Sequence, residues 1–458
     1  MTPNIGTQMN RPLSCDNESS PLLKPTTGCP GLFRIVPALD GGICRIKLPL
    51  GIITSAQAIV VAHAARQFGN EQIEVTNRSN LQIRGVSDSN QAALIDNILG
   101  AGIGSDSPDS DDVRNVMVNP TVGIDQTYLL DTVPLAKQVL EALRTHNQFH
   151  LLSAKFSIYI DGGESIAHVE HPHDLWLSAI NGDSFVMGFA SSPILNEHRL
   201  PRLIVPVKDA LDVIIAALEN FIVIRRQTPE VTRLRHLRDN GKLNEFVETL
   251  RKQFPFLNEQ RGVLPDGARN ITFQSDCIGV HPQRQQGLVY IGAKPPLGRI
   301  RPDGLELAAY IATIIGDSTL RFTPWQSVII PNVKPDHAQL ALMKLTFAGL
   351  ICEADDPLAS MIACAGSTGC KSAYADTKAD GLELAYMLNK EEIPVGIHLS
   401  GCAKSCASPS AAEISLVATS EDRYDVYVRQ QIGQSGFGKI AIKNLTITQI
   451  ADYLESSK

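Results

Sequence analysis

The sequence predicts an α+β fold in which one half-unit occurs twice and each copy is followed by an α/β block. Three observations predict it. CRIKLPLG at residues 44–51 returns as IGAKPPLG at 291–298, and the same shift of 247 positions carries Gly69 onto Gly316, Thr76 onto Thr323 and Val86 onto Val333 without a gap. Within each copy, a strand ending in K-x-P-L-G leads to a helix with apolar residues at helical spacing, then to a strand rich in Val, Ile and Thr. Four cysteines, Cys364, Cys370, Cys402 and Cys406, come from two short Gly-bearing loops near the C-terminus.

Composition bounds the function. The chain has 458 residues, 43% apolar and 19% charged, enough for several domains of ordinary globular make-up. A formal net charge of −7 argues against nucleic acid or an anionic membrane as partner. Five of the nine cysteines (Cys15, Cys29, Cys44, Cys277, Cys352) are scattered, as reduced thiols of a cytoplasmic protein would be.

In chain order, residues 1–27 are polar and Pro/Ser/Asn-rich, without the apolar core of a signal peptide, and read as a poorly ordered lead-in. Residues 28–95 form the first half-unit, with helix TSAQAIVVAHAARQFG and strand IEVTNRSNLQIRGV. Residues 110–255 form the first α/β block. Its apolar stretch Val213–Ile224 is too short to span a bilayer, and it ends in a charged amphipathic helix around Val231–Phe254. That helix, with Arg233, Arg235, Arg238 and Lys242, reads as solvated rather than as a docking face. Gly162-Gly163 after Asp161 reads as a hairpin turn. Residues 270–340 form the second half-unit, and neither copy alone buries its sheet, so the two are expected to pack about a pseudo-twofold axis. Arg78 corresponds to Trp325 and Arg84 to Pro331, so one copy is cationic where the other is apolar, as an asymmetric ligand between them would require. A solvated edge strand is the plain alternative for the two arginines.

Residues 350–458 form the block that carries the cysteines, spaced C-x5-C and then C-x3-C. Four thiolates on two loops are what a cubane iron–sulfur cluster requires. Zinc knuckles are tighter, and zinc, buried free thiols or a disulfide are the weaker readings. A helix is expected directly after Cys370, its N-terminus aimed at the cluster, with strands at IPVGIHLSG and YDVYVRQ. His398, four residues before Cys402, is either near the cluster or a satisfied core histidine. No dinucleotide fingerprint or phosphate loop occurs, so any NADH reducing power must arrive through a partner.

Together these residues resemble the sulfite and nitrite reductase superfamily from about residue 28 to the end. The resemblance rests on the cysteine motif, the duplicated half, a T-x-R-x-x-x-Q strand (Thr76, Arg78, Gln82), and Arg114-Asn115 before the turn Asn119-Pro120-Thr121-Val122-Gly123. It implies ferredoxin-like half-units and a 4Fe-4S cluster on the four cysteines. Reductase members add a Lys-Phe-Lys segment that grips the substrate oxyanion; here it is Lys155-Phe156-Ser157, without the second lysine. The segments CPGLFRIVPALDGGICRIKLPLG, NRSNLQIRGV and HLSGCAKSCA resemble most the precorrin-3B synthase family within that superfamily. That likeness implies oxygen-dependent hydroxylation of precorrin-3A at ring carbon 20 with lactone formation, in cobalamin biosynthesis. Precorrin-3A and dioxygen are then the partners, with NADH through a partner reductase, or a ferredoxin, as electron donor. The alternative is a sirohaem-dependent ferredoxin sulfite or nitrite reductase.

Either ring is flat and fringed with carboxylates, so either needs a basic cradle. On this resemblance, Arg78, Arg114 and Lys155 are the catalytic candidates. Arg34, Arg45, Lys47, Asn80, Gln82, Arg84 and Asn115 join Arg78 and Arg114 in binding the ring. The family is also associated with a mononuclear non-haem iron. The densest set of candidate ligands is His168-Val169-Glu170-His171-Pro172-His173-Asp174, which one continuous strand could not present to a single ion, although a turn at Pro172 could. A polar surface loop is the reading preferred for this run.

Overall fold

The repeated K-x-P-L-G turn shows the duplication at atomic level. In the computed structural model, which describes residues 29–105, 107–194, 200–259, 275–388, 396–408 and 410–456, Leu50 and Leu297 both take left-handed backbone angles (φ 59° and 51°). Each is followed by a left-handed glycine, Gly51 at +73° and Gly298 at +78°. The lysine that opens each turn is buried and donates to two backbone carbonyls. Lys47 Nζ reaches Asp111 O (2.6 Å) and Asp112 O (2.8 Å), and Lys294 Nζ reaches Ala359 O and Met361 O (both 2.8 Å). Each half-unit thereby fastens itself to the α/β block that follows it. The lead-in, residues 1–27, lies outside the described residues, as do residues 270–274 at the start of the second half-unit.

The two half-units exchange strands. Gly41–Ile46, Leu81–Val86 and Ile73–Val75 form an antiparallel sheet edged by Val36–Ala38 on one side and by Arg299–Ile300 from the other copy. Reciprocally, Ile52–Thr54 pairs with Thr319–Phe322 at the edge of the sheet formed by Gly279–Pro282, Val289–Ala293 and Val328–Val333. Helices Ser55–Phe68 and Pro302–Ile315 pack on each other and share one core, with Ala58, Val61, Ala62 and Ala65 in the same apolar cluster as Leu305, Ala308, Ala309 and Ala312. Alanines at these positions let the helices approach closely, and Thr54 caps the first through a reciprocal pair of bonds with Gln57. The pseudo-twofold arrangement read from the sequence is the one observed.

The two α/β blocks repeat each other as well, which the sequence does not reveal. In the first, Val116–Val118, Ile158–Asp161 and His173–Ala179 run parallel, then Ser184–Ser191 and Arg202–Pro206 turn antiparallel, with Asn258–Glu259 at the far edge. In the second, Met361–Ala363, Ile397–Ser400 and Ile414–Ser420 run parallel, then Arg423–Val428 and Lys439–Leu445 turn antiparallel. Each block has its own core, around Val139, Phe149 and Phe221 in one and around Leu384, Leu399 and Leu416 in the other.

Three local expectations are corrected. The charged helix around Val231–Phe254 is two helices, Leu234–Asp239 and Leu243–Gln253, broken where Gly241 takes a left-handed φ of +71°. Gly162-Gly163 is no hairpin, because the strands on either side run parallel; these glycines instead leave room for Leu129 and Leu130, whose N–H groups both donate to Gly162 O. The helix expected directly after Cys370 begins at Thr377, where Asp376 accepts from Lys378 N and Ala379 N as its cap. Val213–Ile224 lies inside helix Ala210–Gln227, and no helix among the described residues is long and apolar enough to cross a membrane.

Candidate functional site

The cysteines sit at the carboxyl ends of two parallel strands. Cys364 follows Met361–Ala363 and Cys402 follows Ile397–Ser400, while a helical turn Gly366–Gly369 delivers Cys370. Gly401 N donates to Cys364 Sγ at 3.2 Å, and the Thr377 hydroxyl lies 3.6 Å from the same sulfur. A Cβ on Gly401 would stand 2.6 Å from Ala373 Cβ, and one on Gly366 would stand 2.8 Å from Thr377 N, so the slim residues are required where the loops close. Burial pushes the Cys406 thiol up, and negative charge on Cys364, Cys402 and Cys370 pushes it further, so the four sulfurs feel one another. Among the described residues no disulfide joins them. They are also not drawn together as ligands of one ion: the one group of three or more ligand side chains within 4.8 Å among the described residues lies elsewhere. Four thiols gathered but spaced apart, with a backbone N–H already on one sulfur, fit an inorganic cube better than a single metal. Lys378, buried and donating to Ala363 O (2.9 Å), adds a cation beside Cys364 and is held down to about 8, chiefly by burial.

The basic residues divide into anchored and available ones. Arg34 forms a bidentate pair with Asp112 (both bonds 2.7 Å) and also donates to Cys29 O. Lys47 is engaged with the two carbonyls described above. Arg114 is paired with Asp111 on the preceding turn (2.8 Å), and Asn115 donates to Ala154 O (2.9 Å) and Asp112 O. Asn80 is buried and accepts from Leu48 N (2.9 Å), fixing the K-x-P-L-G turn. Arg84 is already engaged: its guanidinium meets Asp40 twice (2.7 and 2.8 Å), Glu74 (3.3 Å) and Gly369 O (3.1 Å), so it ties the first half-unit to the cysteine loop. Arg78 and Arg45 have no carboxylate partner among the described residues. Arg45 donates to Gln82 Oε1 (2.7 and 3.0 Å), and Arg78 to Lys155 O (3.3 Å). Burial, then the like charges of Arg233 and Arg45, holds Arg78 down to about 10. Lys155 is exposed beside it. Asn77 Nδ2 donates to Ala407 O at 3.2 Å, joining the neighbour of Arg78 to the neighbour of Cys406 across the seam. The cationic strand and the last cysteine therefore meet.

Histidines 168, 171 and 173 converge. His171 N bonds back to His168 O (3.4 Å), and after Pro172 the chain enters the strand at His173, so a turn brings together what one strand would separate. Their ligand atoms all lie within 4.8 Å of one another. The polar-loop reading is corrected: His171 and His173 are buried and His168 is partly buried, His168 lying edge-on to Trp325 and His173 stacked on Tyr159. Burial pushes all three imidazoles down, His168 to about 3, and so keeps them neutral. Glu170 is not among them; it lies 3.7 Å from Arg429. His398 is no satisfied core residue, since neither ring nitrogen has a hydrogen-bond partner among the described residues. Residues that the sequence reading passed over complete the surroundings. Ser157 is buried and bonded to His173 Nδ1 (3.3 Å), while Asp174 accepts from Arg233 Nε, Ser157 N and Leu234 N. Arg233, read as solvated, lines a cavity of about 680 Å3 with Arg235, His236 and Arg238.

Comparison with known proteins fits this architecture. Residues 37–101 and 281–346 match the nitrite/sulfite reductase ferredoxin-like half domain, and residues 109–256 match the nitrite and sulphite reductase 4Fe-4S domain. The chain belongs to the nitrite and sulfite reductase family. The chloroplastic ferredoxin–nitrite reductase of Arabidopsis thaliana is 29% identical to this family member over 436 residues, 89% of the chain and 74% of the relative. That of Oryza sativa subsp. japonica is 30% identical over 390 residues, 81% of the chain and 65% of the relative. The structure of the Mycobacterium tuberculosis NirA protein matches with a TM-score of 0.73 at 19% identity, over 90% of this chain and 79% of that one, a likeness of fold.

These names overturn one expectation. The matched relatives are reductases, so oxygen-dependent hydroxylation of precorrin-3A, with precorrin-3A and dioxygen as partners, is replaced by the reductase alternative. The physical reason for the error lies in the cradle. Cations expected to meet carboxylates on a ring would do so whether that ring is cofactor or substrate, and a single missing lysine at Ser157 does not separate the two.

Proposed function

We propose that this chain is a ferredoxin-dependent reductase of a small oxyanion, nitrite before sulfite, working with sirohaem and a 4Fe-4S cluster. The observation that carries this reading is the contact across the seam, where Asn77, next to Arg78, donates to Ala407, next to Cys406, and Arg78 has no carboxylate partner among the described residues. Cys364, Cys370, Cys402 and Cys406 would hold the cluster. Arg45 and Arg78 would meet the carboxylates of the ring, and Arg45 also senses charge on Cys406. When bound, the cluster and the ring supply the electrons and the site at which the oxyanion is reduced.

The chain's own residues bind and orient. Lys155 offers an exposed ammonium for the oxyanion, and Arg78 donates to the backbone carbonyl of that same lysine, which fixes where the ammonium starts from. Asp111 holds the Arg114 guanidinium in one orientation. Ser157 points to His173 and contributes no charge, so the anion is met by fewer cations than a Lys-Phe-Lys segment would offer. A ferredoxin is the donor that the names of the relatives favour.

The test is spectroscopic and kinetic. Protein made anaerobically in a host that synthesises sirohaem should carry haem bands together with a cluster shoulder, and should consume nitrite when driven by a reduced viologen dye. Arg78→Ala and Lys155→Ala should each lower kcat/KM by about a hundredfold while the cluster remains. A fully loaded cluster with no haem bands, or no consumption of nitrite or sulfite, would sink the proposal.

A further inference from the structure

We propose that His168, His171 and His173 form a binding site for one divalent first-row transition-metal ion, distinct from the cysteine site. Each histidine carries a buried ring nitrogen without a hydrogen-bond partner among the described residues: Nδ1 of His168, Nδ1 of His171 and Nε2 of His173. A packed core satisfies its polar atoms, so three orphaned nitrogens in one group call for an occupant. Their neutral lone pairs are what such a metal takes. Bonds of about 2.0–2.1 Å place tetrahedral ligands about 3.3 Å apart, so the set, within 4.8 Å, closes on an ion by small rotations of the rings. His173 already has the support that metal-ligating histidines need, since its Nδ1 bonds to the Ser157 hydroxyl and leaves Nε2 for the metal.

Topology supplies a second, independent argument. The cysteine loops leave the carboxyl ends of the first two parallel strands of the second α/β block, Cys402 and Cys406 following Ile397–Ser400. In the first block the corresponding strand is Ile158–Asp161, and the loop that follows it carries His168 and His171, with His173 opening the next strand. The histidines thus occupy the place in one block that the second pair of cysteines occupies in its repeat. Imidazoles suit a single borderline ion there, as thiolates suit a cluster in the other. His173 also lines the cavity of about 680 Å3, which gives an ion a way in. The positive charges of Arg78 and Arg233 reach His171 and His173 and oppose a bare cation, so a water-derived or oxyanion fourth ligand belongs in the open position.

The test uses the full chain with its cluster in place, stripped of loose metal by a chelator and dialysed against Zn2+ alone. One zinc per chain beyond the cluster iron is expected. X-ray absorption at the zinc edge should show a shell of nitrogen and oxygen only, at about 2.0–2.1 Å. His171→Ala and His173→Ala should each weaken binding tenfold or more, whereas His398→Ala, which removes another buried histidine, should leave it unchanged. A sulfur shell near 2.3 Å would put the ion on the thiols and overturn the proposal, as would failure of the unmodified protein to retain one equivalent. Since none of these readouts is an activity, the result is independent of whether the protein reduces nitrite.

Discussion

Lys294 shows how far one residue can report on the fold. Its ammonium is completely buried against two carbonyls, and burial holds it down to about 7 from an ordinary 10.5, with nearby Cys277 opposing and Lys378 adding to the shift. A cation whose value falls on folding binds its proton less well in the folded chain. Between pH 7 and 10 the unfolded chain therefore carries the extra proton, and stability rises with pH through that window. Denaturant unfolding at pH 7 and 9.5 should show the unmodified protein gaining roughly 1–3 kcal/mol from this residue. Lys294→Met should lose that share of the slope, and coincident pH slopes for the two proteins would refute the assignment. The K-x-P-L-G motif marked this lysine in the sequence, but the carbonyls it meets, at Ala359 and Met361, lie in another block and could not be read there. The partners of Arg84 were hidden for a similar reason. Its partner Glu74 comes from the neighbouring strand, and strand alternation gives a side chain's face without naming what waits on it.

Among the elements, the repeated turn was legible because its geometry restricts the sequence. A left-handed glycine must follow a left-handed leucine at 50–51 and again at 297–298, so Pro-Leu-Gly survived in both copies. Gly51→Ala and Gly298→Ala should each cost about 1–2 kcal/mol from backbone strain alone. Contacts add to this, since a Cβ at 51 would lie 2.8 Å from Ser79 Cβ and one at 298 would lie 2.5 Å from Gln326 Oε1. Melting curves of the two variants should fall together. If one is neutral, the turns are not equivalent. The repeat of the α/β blocks stayed hidden because it lives in strand order and direction, which many apolar sequences satisfy. The helix start at Thr377 was readable: Asp376 is a strong cap, whereas Lys371 after Cys370 is not. The convergence of the histidines was half legible, since Pro172 signalled a turn, but the orphaned nitrogens are a property of packing alone.

For the whole molecule the deciding group is Glu74, where three parts of the chain meet. Its carboxylate accepts from Arg84 Nη1 (3.3 Å) and Gln82 Nε2 (3.3 Å) in its own half-unit and from Arg299 Nη2 (2.9 Å) on the exchanged strand, and it feels Lys378 in the cluster block. Burial pushes this carboxyl up, but Lys378, Arg84 and Arg299 outweigh burial and hold it at about 2. Because the folded value lies below the ordinary 4.5, the stabilisation is complete above pH 4.5 and fades as pH falls toward 2. Glu74→Gln keeps the shape but removes the counter-charge shared by buried Arg84 and Lys378 and partly exposed Arg299, a loss of about 3–5 kcal/mol for a broken buried pair. Arg84 would then hold Gly369 O with Asp40 as its sole carboxylate partner, so the cysteine loop should loosen as the half-units do. Urea titration followed both by far-ultraviolet circular dichroism and by cluster absorbance should place both midpoints lower in Glu74→Gln than in the unmodified protein. The acid limb between pH 4.5 and 2 should flatten in the variant. If the variant unfolds within 1 kcal/mol of the parent, or keeps the parent's acid limb, the junction draws its strength from apolar packing and strand exchange, and Glu74 only accompanies them.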